Sequence, residues 1–591
     1  MPTGQRSTDG LAAPVPRLHG KGVMRYAALA CDYDGTIASH GVVDTPTVEA
    51  LARLRASGRR LVLVTGRDLD DLMRVFPHVH LFDRIVAENG AVVYDPATHD
   101  VQMLGDPPPD EFARELERRG VSPLSMGRVI VATWEPNDPI VLQTIREMGL
   151  ELQVIFNKGA VMVLPSGVNK ATGLRRALED LKLSPHNTVG VGDAENDHAF
   201  LGACECAVAV ANALDSLKAR VDYVTATDHG GGIVELIDHI IVSDLAELNP
   251  RLTRHDLAIG QSTTGADVHL APHKGVILVA GPSGGGKTRV TTTILERLCD
   301  ATYQVCIVDP EGDYHDFPGA IAVRGNDTRT LADEALRVLD RPSENAVVNL
   351  LDLRLDDRPP FLQSLLPRLL ELRAATARPH WIVLDEAHHL LPSSWRPSEA
   401  IVPAQLNTIA LVTVHPEHVA TSVLRMVDTL IVVGREPQST IDAFTRARGD
   451  AAIRLPAHED VSNLPWLVRI GEPPFQFRVF EPAADRRRHQ RKYAEGKLGE
   501  DISFYFRGPE GRLNLRAQNL ELFMQLADGV DDETWEYHLQ QHDVSRWFRD
   551  VIKDESLAED AVEVESRNEL SPNDSRARIR AAIQRRYTTP A

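Results

Sequence analysis

Three short apolar runs in the first third of the chain each stop abruptly on polar residues. Tyr26 to Cys31 stops at Asp32, Arg60 to Val64 at Thr65-Gly66-Arg67, and Thr188 to Val191 at Gly192-Asp193. Apolar runs of this length with sharp ends predict buried strands, and Thr47–Ala56 and Thr172–Leu181 between them repeat apolar positions at helical spacing. Strands alternating with helices predict a parallel sheet, whose ligands gather beyond the carboxyl ends of the strands. The polar residues that end the three runs therefore belong to one site. The pattern restarts at Gly275–Ala280, an apolar run leading into Gly281-Pro282-Ser283-Gly284-Gly285-Gly286-Lys287-Thr288 and then into a helical stretch to Leu298. Trp381–Leu384 and Ile409–Val412 are two more buried-strand patterns, ending at Asp385-Glu386 and Thr413. Farther on, Leu513–Leu526, Trp535–Gln541, Ser545–Lys553 and Ser575–Arg586 predict helices, with aromatic anchors at Trp535, Trp547 and Phe548.

Single cores stop growing near about 250–300 residues, so 591 residues predict several domains. The expected division is a flexible leader over 1–23, a first α/β domain over 24–240, a second over 241–480 and a small, mainly helical module over 481–591. The hydrophobic and charged fractions, 43% and 25%, are those of a soluble globular protein. The formal net charge of −20 argues against a surface given over to nucleic acid, while leaving room for a local basic groove. Cys31, Cys204, Cys206, Cys299 and Cys306 have neither metal-site nor disulfide-framework spacing, so packing thiols in a reducing compartment are expected. No window approaches the roughly 18–20 apolar residues of a membrane span, and the expectation is a cytoplasmic protein with no membrane partner.

The first site has the residue types of phosphoryl transfer to a carboxylate. Asp32 is expected to be ionised at neutral pH, given a reference pKa near about 3.9, and can attack phosphorus without a base. Asp34 is placed two residues on to protonate the leaving oxygen and later to deprotonate water. Carboxylates facing a phosphate dianion repel it, and a hard cation with oxygen ligands, Mg²⁺, removes the conflict. Thr65 can hydrogen-bond a phosphoryl oxygen, and Lys170 can neutralise nucleophile and phosphate. Asp32-Tyr33-Asp34-Gly35-Thr36, Val64-Thr65-Gly66-Arg67, Lys170 and Gly192-Asp193-Ala194-Glu195-Asn196-Asp197 together resemble the four motifs of the haloacid dehalogenase (HAD) superfamily of phosphatases. Glu88-Asn89-Gly90-Ala91 and Pro165-Ser166-Gly167-Val168-Asn169-Lys170 are similar to its Cof-like and sucrose-phosphatase-like members. The resemblance implies a Rossmann-like core with an α/β cap over about 89–164. It makes Asp32 the nucleophile, Asp34 the acid/base, Thr65 and Lys170 the phosphate binders and Asp193 a metal ligand oriented by Asp197. The expected metal set is Asp32, Asp34, Asp193 and Asp197, and the implied substrate is a small phosphorylated molecule. Arg67, Asn157 and Lys158 are candidates for its anionic groups.

At the second site the Gly-rich octet sits between a strand and a helix, the context in which backbone N–H groups cradle phosphates. Gly281, Gly284 and Gly286 let the backbone approach, Lys287 reaches the terminal phosphates, and Thr288 with Asp385 holds Mg²⁺ while Glu386 polarises the attacking water of an ATPase. Ile307-Val308-Asp309-Pro310-Glu311-Gly312-Asp313-Tyr314 and Leu384-Asp385-Glu386-Ala387-His388-His389 resemble motifs of the HerA/FtsK class of P-loop ATPases, which have a RecA-like fold. That resemblance implies ATP as substrate and a homo-oligomer, a hexameric ring in many members. It also puts Thr413 and His415 at a γ-phosphate sensor and offers Arg425 and Arg435 as trans-acting fingers. His388 and His389, as neighbours on a helix, are expected to point apart. HerA proteins usually carry a small β-barrel where this chain has the phosphatase-like domain.

A different class of reading is a DNA-engaged motor whose first domain processes phosphate ends. The basic run Asp485-Arg486-Arg487-Arg488-His489-Gln490-Arg491-Lys492-Tyr493 favours it, and the acidic balance weighs against it. In a further reading the first domain senses a ligand and controls the ATPase.

Overall fold

The computed structural model describes residues 24–395, 407–456, 464–483, 503–511, 513–552, 554–567 and 569–587. The expected leader and the basic run at 485–493 lie outside them. Residues up to Val479 form one compact unit and those from Phe480 a second.

Among the described residues the first unit contains an eight-stranded sheet in the order Tyr223–Val224, Cys206–Ala209, Thr188–Gly192, Ala28–Cys31, Arg60–Val64, Arg84–Ala87, Val92–Tyr94, Val101–Met103. The first six strands are parallel. The apolar runs form the centre because both faces are covered: Leu29, Leu61, Val62, Leu63, Val189 and Val191 have no exposed surface. Cys31 is in register with both Leu63 and Val191, so Asp32, Val64-Thr65 and Gly192-Asp193 emerge at the same edge.

The expected cap segment, 89–164, is divided. Val92–Tyr94 and Val101–Met103 pair antiparallel onto the main sheet and extend the core. A separate four-stranded antiparallel sheet holds Ser125–Met126, Val131–Trp134, Leu152–Asn157 and Ala160–Pro165, with helices Asp110–Arg118 and Asp138–Glu147. Its own small core includes Phe112, Leu116, Val131, Val141 and Val163. The difference has a physical reason: Val92, Val93 and Tyr94 are buried against the main core, a burial the isolated cap could not offer.

Among the described residues the second sheet has eleven strands. Its parallel part runs Thr429–Val432, Val276–Ala280, Ile409–Thr413, Trp381–Leu384, Val305–Asp309, Asn345–Asn349, Ala320–Arg324. Trp466–Arg469, Phe475–Val479, Leu257–Ser262 and Asp267–Leu270 extend one edge antiparallel, so the segment before the P-loop strand joins this sheet. Buried Trp381 satisfies its indole by donating to the Pro272 carbonyl at 2.7 Å.

The two sheets share a polar seam. Fully buried Arg378 donates through Nη2 to the Lys182 carbonyl (2.7 Å) and through Nη1 to Gln304 Oε1 (2.7 Å). Tyr303 donates to Glu205 Oε2 at 2.7 Å. The Gln304 amide donates to His380 Nδ1, leaving Nε2 to donate to Asn187 Oδ1 at 2.9 Å.

In the second unit Phe504–Phe506 pairs with Leu515–Ala517, and five helices follow, from Leu520–Gly529 to Pro572–Tyr587, among the described residues. The helix expected from Leu513 therefore starts at Leu520. Leu515–Ala517 takes a ladder partner instead, and Asn519 caps the helix by accepting from the Leu522 amide. Phe504, Phe506, Phe523, Trp535, Trp547 and Phe548 form its aromatic core. No helix among the described residues is long and apolar enough to cross a membrane.

Candidate active sites

At the edge of the first sheet Asp32, Asp193 and Asp197 bring one carboxylate oxygen each to within 4.8 Å of one another, all three buried. Lys170 is the first residue of helix Lys170–Asp180, where the Asn169 cap fixes its direction. Its Nζ, 1% exposed, donates to Asp32 Oδ1 at 2.6 Å and Asp197 Oδ1 at 2.7 Å. The other Asp197 oxygen accepts from the Asp193 and Ala194 amides at 2.8 and 3.0 Å, so this carboxylate is saturated by protein donors and locks the loop that carries Asp193. Thr65 is buried, its hydroxyl accepting from the Arg67 amide at 3.1 Å. Gly35 lies at φ +87°, and a Cβ there would meet Asp193 Oδ2 at 2.3 Å, so only glycine fits between the nucleophile loop and Asp193.

Burial, with the neighbouring Asp197 and Asp193, pushes the Asp32 carboxyl above its usual range against the opposing pull of Lys170. One expectation is corrected here. Asp34 does not join the acidic cluster. Arg67 takes both its oxygens, Nε to Oδ2 at 2.6 Å and Nη2 to Oδ1 at 2.7 Å, and also pairs with Asp71. Arg67 is thus committed to carboxylates of its own chain.

Lys158 stands at the tip of the cap hairpin between Leu152–Asn157 and Ala160–Pro165 and reaches Asp193 Oδ2 at 2.7 Å. Burial works against its ammonium, but Asp193 outweighs it and holds the pKa above the ordinary lysine value. Asn157 Oδ1 beside it is buried without a hydrogen-bond partner among the described residues. Glu88 was quoted in the sequence only as part of a motif, and its role comes from the cap. Its carboxylate accepts the amides of Arg128, Val129 and Ile130 at 2.9, 2.8 and 3.0 Å, fastening the cap loop to the core.

At the second site Gly286 at φ +103° caps helix Lys287–Asp300. Gly281 at φ +151° brings the loop so close to the next strand that a Cβ would lie 2.2 Å from the Val433 carbonyl. Gly284 is also left-handed, at φ +72°. Lys287 is buried and donates to the Pro282 carbonyl across the loop at 3.3 Å, and Thr288 follows it in the first turn. Burial, then Glu386 and Asp309, push Asp385 up to about 8. Glu386 is also raised by burial, with Lys287 opposing. Asp309 accepts the amides of Gly312, Asp313 and Tyr314, which makes it the organiser of its loop.

The histidines depart from expectation. The His388 and His389 rings lie 4.0 Å apart instead of diverging, because their helix, Ala387–Leu390, is a single turn. His388 Nδ1 lies 3.0 Å from Thr413 Oγ1 and 3.3 Å from Glu386 Oε2, and burial holds its pKa down to about 4. His415 donates its amide to Thr413 Oγ1 at 3.1 Å and its ring meets His388 edge-on at 5.7 Å. A cavity of about 720 Å³ beside the loop is lined by Ser283, Gly284, His415, Glu417 and Arg435, so Arg435 sits next to its own chain's P-loop. Arg425 turns toward the Arg448 carbonyl.

Both halves match known families. The haloacid dehalogenase-like hydrolase family matches residues 29–105 and 144–237, and an AAA domain matches residues 271–425. A phosphoglycolate phosphatase of Methanothermobacter thermautotrophicus is 30% identical over 220 residues, 36% of this chain and 96% of that protein. One of Haloarcula marismortui is 30% identical over 217 residues, 35% and 95%. A solved haloacid dehalogenase-like hydrolase from Bacteroides thetaiotaomicron is 20% identical with a TM-score of 0.34, covering 36% of this chain and 99% of that one. The chain belongs to the haloacid dehalogenase-like hydrolases, and it is an enzyme in which that fold is joined to an AAA-type P-loop domain.

Proposed function

We propose that the first site is an Mg²⁺-dependent phosphatase for a small phosphorylated carboxylic acid, working through an aspartyl-phosphate, and that the second hydrolyses ATP. The observation that carries the first reading is Lys170 bridging Asp32 and Asp197 beneath a cap lysine at Asp193. Two lysines against three buried carboxylates leave negative charge among oxygen donors, which suits a hard cation held by Asp32 and Asp193. When bound, Mg²⁺ would offset charge between the nucleophile and the phosphate.

The chain's own residues divide the work. Asp32 attacks phosphorus as the ester P–O bond breaks, and Thr65 and Lys170 bind the phosphoryl oxygens. Asp34, once released from Arg67 and protonated from solvent, gives that proton to the leaving oxygen. It then takes a proton from water, whose attack on phosphorus frees inorganic phosphate and Asp32. Asp197 keeps Lys170 and the Asp193 loop in place. The cap supplies Lys158, a cation suited to a substrate carboxylate, in keeping with the phosphoglycolate phosphatase name of the relatives.

At the second site Gly281, Gly284, Gly286 and Lys287 hold the ATP phosphates, Thr288 and Asp385 the accompanying Mg²⁺, and Glu386 orients water. The Thr413 and His415 pair, linked through His388 to Glu386, reports the γ-phosphate, as in HerA-like ATPases that assemble into rings. A phosphatase domain over 24–240, an ATPase domain over 241–480 and a third module beyond complete the reading. The five unpaired thiols support a cytoplasmic setting. The test is phosphate release from a panel of acid, sugar and nucleotide phosphates by wild type and Asp32→Asn, with ATP hydrolysis followed in parallel. Turnover that survives in Asp32→Asn would refute the assignment.

A further inference from the structure

Arg67 grips two carboxylates, and it grips them unequally. Nη1 meets Asp71 Oδ2 at 2.6 Å, and Asp71 is itself fixed. Its amide donates to Asp68 Oδ1 at 2.8 Å in the first turn of helix Leu69–Val75, and its other oxygen accepts from Arg74 at 3.0 Å. The Arg67 guanidinium also lies 5.3 Å from the ring of Tyr33, which is fully buried and donates its hydroxyl to the Gly41 carbonyl at 3.0 Å. The guanidinium therefore has supports that do not depend on Asp34.

Asp34 has no second hold. Its two oxygens go to Nε and Nη2 of Arg67, and its carboxylate makes no other hydrogen bond among the described residues. Its side chain is 42% exposed, whereas Asp32, Asp193 and Asp197 are buried. The Nε–Nη2 edge of Arg67 is thus a fixed, planar receptor for one carboxylate, and Asp34 is its removable occupant. Lys158 reaches the same loop from the cap, its Nζ 2.9 Å from the point where a Cβ on Gly35 would stand. A carboxylate arriving beside Asp34 meets one cation from the cap and one from the core.

We propose that the carboxylate of the substrate takes the place of Asp34 on Arg67, so that the acid/base is set free by a substrate that brings a carboxylate of its own. This exchange rests on the reading of the substrate as a small phosphorylated acid, and it names a residue that enforces that choice. The exchange is like for like. An aspartate side chain ends in a methylene bearing a carboxylate, and so does a two-carbon phosphorylated acid. One bidentate ion pair replaces another, so little is lost in breaking the first. In such a substrate the carboxyl carbon stands two bonds from the leaving oxygen, so filling Arg67 and presenting Asp34 to that oxygen happen in one pocket. A neutral ester offers Arg67 nothing and must free Asp34 with the pair unreplaced.

The test compares phosphoglycolate with ethyl phosphate, which has a methyl group in place of the carboxylate, on the full chain with Mg²⁺. Wild type should favour phosphoglycolate in kcat/KM. Arg67→Gln should reduce that preference by about 10- to 100-fold, as expected for losing a charged hydrogen bond. The reduction should come from a fall with phosphoglycolate, while kcat on ethyl phosphate does not fall. Arg67→Lys, which keeps the charge without the fork, should lie between. Acetate added at constant ionic strength should raise wild-type turnover of ethyl phosphate, by filling Arg67 and freeing Asp34, and should do nothing in Arg67→Gln. The acetate measurement on wild type needs no variant that folds. Equal losses on both esters in Arg67→Gln, or acetate without effect on a wild type that favours phosphoglycolate, overturns the exchange and leaves the phosphorylated-acid reading standing. A wild type with no preference, or with no turnover of either ester, sinks that reading and the exchange with it.

Discussion

Lys170→Met is the sharpest probe of the first site, because it removes charge and leaves volume. The ammonium is 1% exposed and makes two charge-assisted bonds, at 2.6 and 2.7 Å, to carboxylates that are themselves buried. Removing one partner of a buried ion pair costs about 3–5 kcal/mol, since the remaining charges are left uncompensated. For a domain of some two hundred residues, at roughly 2–4 °C per kcal/mol, this lowers the unfolding temperature by about 6–20 °C. Sign and pH follow from the same groups. Asp32 is raised in the folded chain, so over the range above about 3.9 the folded state binds more protons than the unfolded state and stability falls as pH rises. Lys170 itself is raised, so its contribution is complete below about 10.4 and constant across neutral pH. Taking it away should steepen the decline between about pH 4 and neutrality, and saturating Mg²⁺ should recover part of the loss. Calorimetry of the full chain at pH 5 and pH 8, with and without Mg²⁺, reads all three effects. A variant whose hydrolase transition lies within about 1 kcal/mol of wild type at pH 8 without Mg²⁺ would refute the buried-charge argument.

Lys158→Ala should leave folding intact and lower kcat/KM for a carboxylate-bearing phosphate by about 10- to 100-fold, as expected for losing one charged hydrogen bond, with little change for a neutral phosphate ester. Steady-state kinetics on the two substrates check this. Gly281→Ala should abolish ATP binding in an equilibrium titration, because its Cβ would lie 2.2 Å from the Val433 carbonyl in a backbone that favours glycine, while phosphatase turnover persists. Glu88→Ala removes the acceptor of three amides and should release the cap loop, seen as faster hydrogen exchange at Arg128, Val129 and Ile130 before any change at Asp32.

Legibility in the sequence followed locality. Asp32, Thr65, Lys170 and Asp193 stood at the ends of apolar runs or in short motifs, and a parallel sheet brings such ends together whatever the intervening sequence, as the register of Cys31 with Leu63 and Val191 shows. The P-loop was legible for the same reason, its spacing being dictated by one turn and one helix N-terminus. Side-chain direction was less so. Asp34 turns to Arg67 because a guanidinium fork thirty-three residues away matches both its oxygens, and nothing in Asp-Tyr-Asp-Gly fixes that choice. Two short strands were hidden too. Leu515–Ala517 and Val92–Tyr94 are strands only because Phe504–Phe506 and Arg84–Ala87 offer them ladders.

Least legible was the seam. His186, Glu205, His255, His273, Tyr303 and His380 lie scattered over nearly two hundred residues, with no spacing to announce them. Yet this is where the two chemistries meet physically. The Pro185–Asn187 turn directly precedes Thr188–Gly192, the strand that ends at Asp193, and Tyr303-Gln304 directly precedes Val305–Asp309, the strand that ends at the Asp309 loop. Hydrogen bonds from His186 to Ala301 and from His380 to Asn187 therefore join the rear of a phosphatase strand to the rear of ATPase strands. Parallel strands transmit small shifts along their length because their neighbours are packed on both faces. Coupling between the sites, if measured, should consequently weaken in Arg378→Ala, which removes the bond to Lys182 without touching either phosphate site. ATP hydrolysis measured with and without the phosphatase substrate, in wild type and in this variant, gives the coupling as a ratio of rates. An unchanged ratio would show that the seam holds the domains together and carries nothing between them.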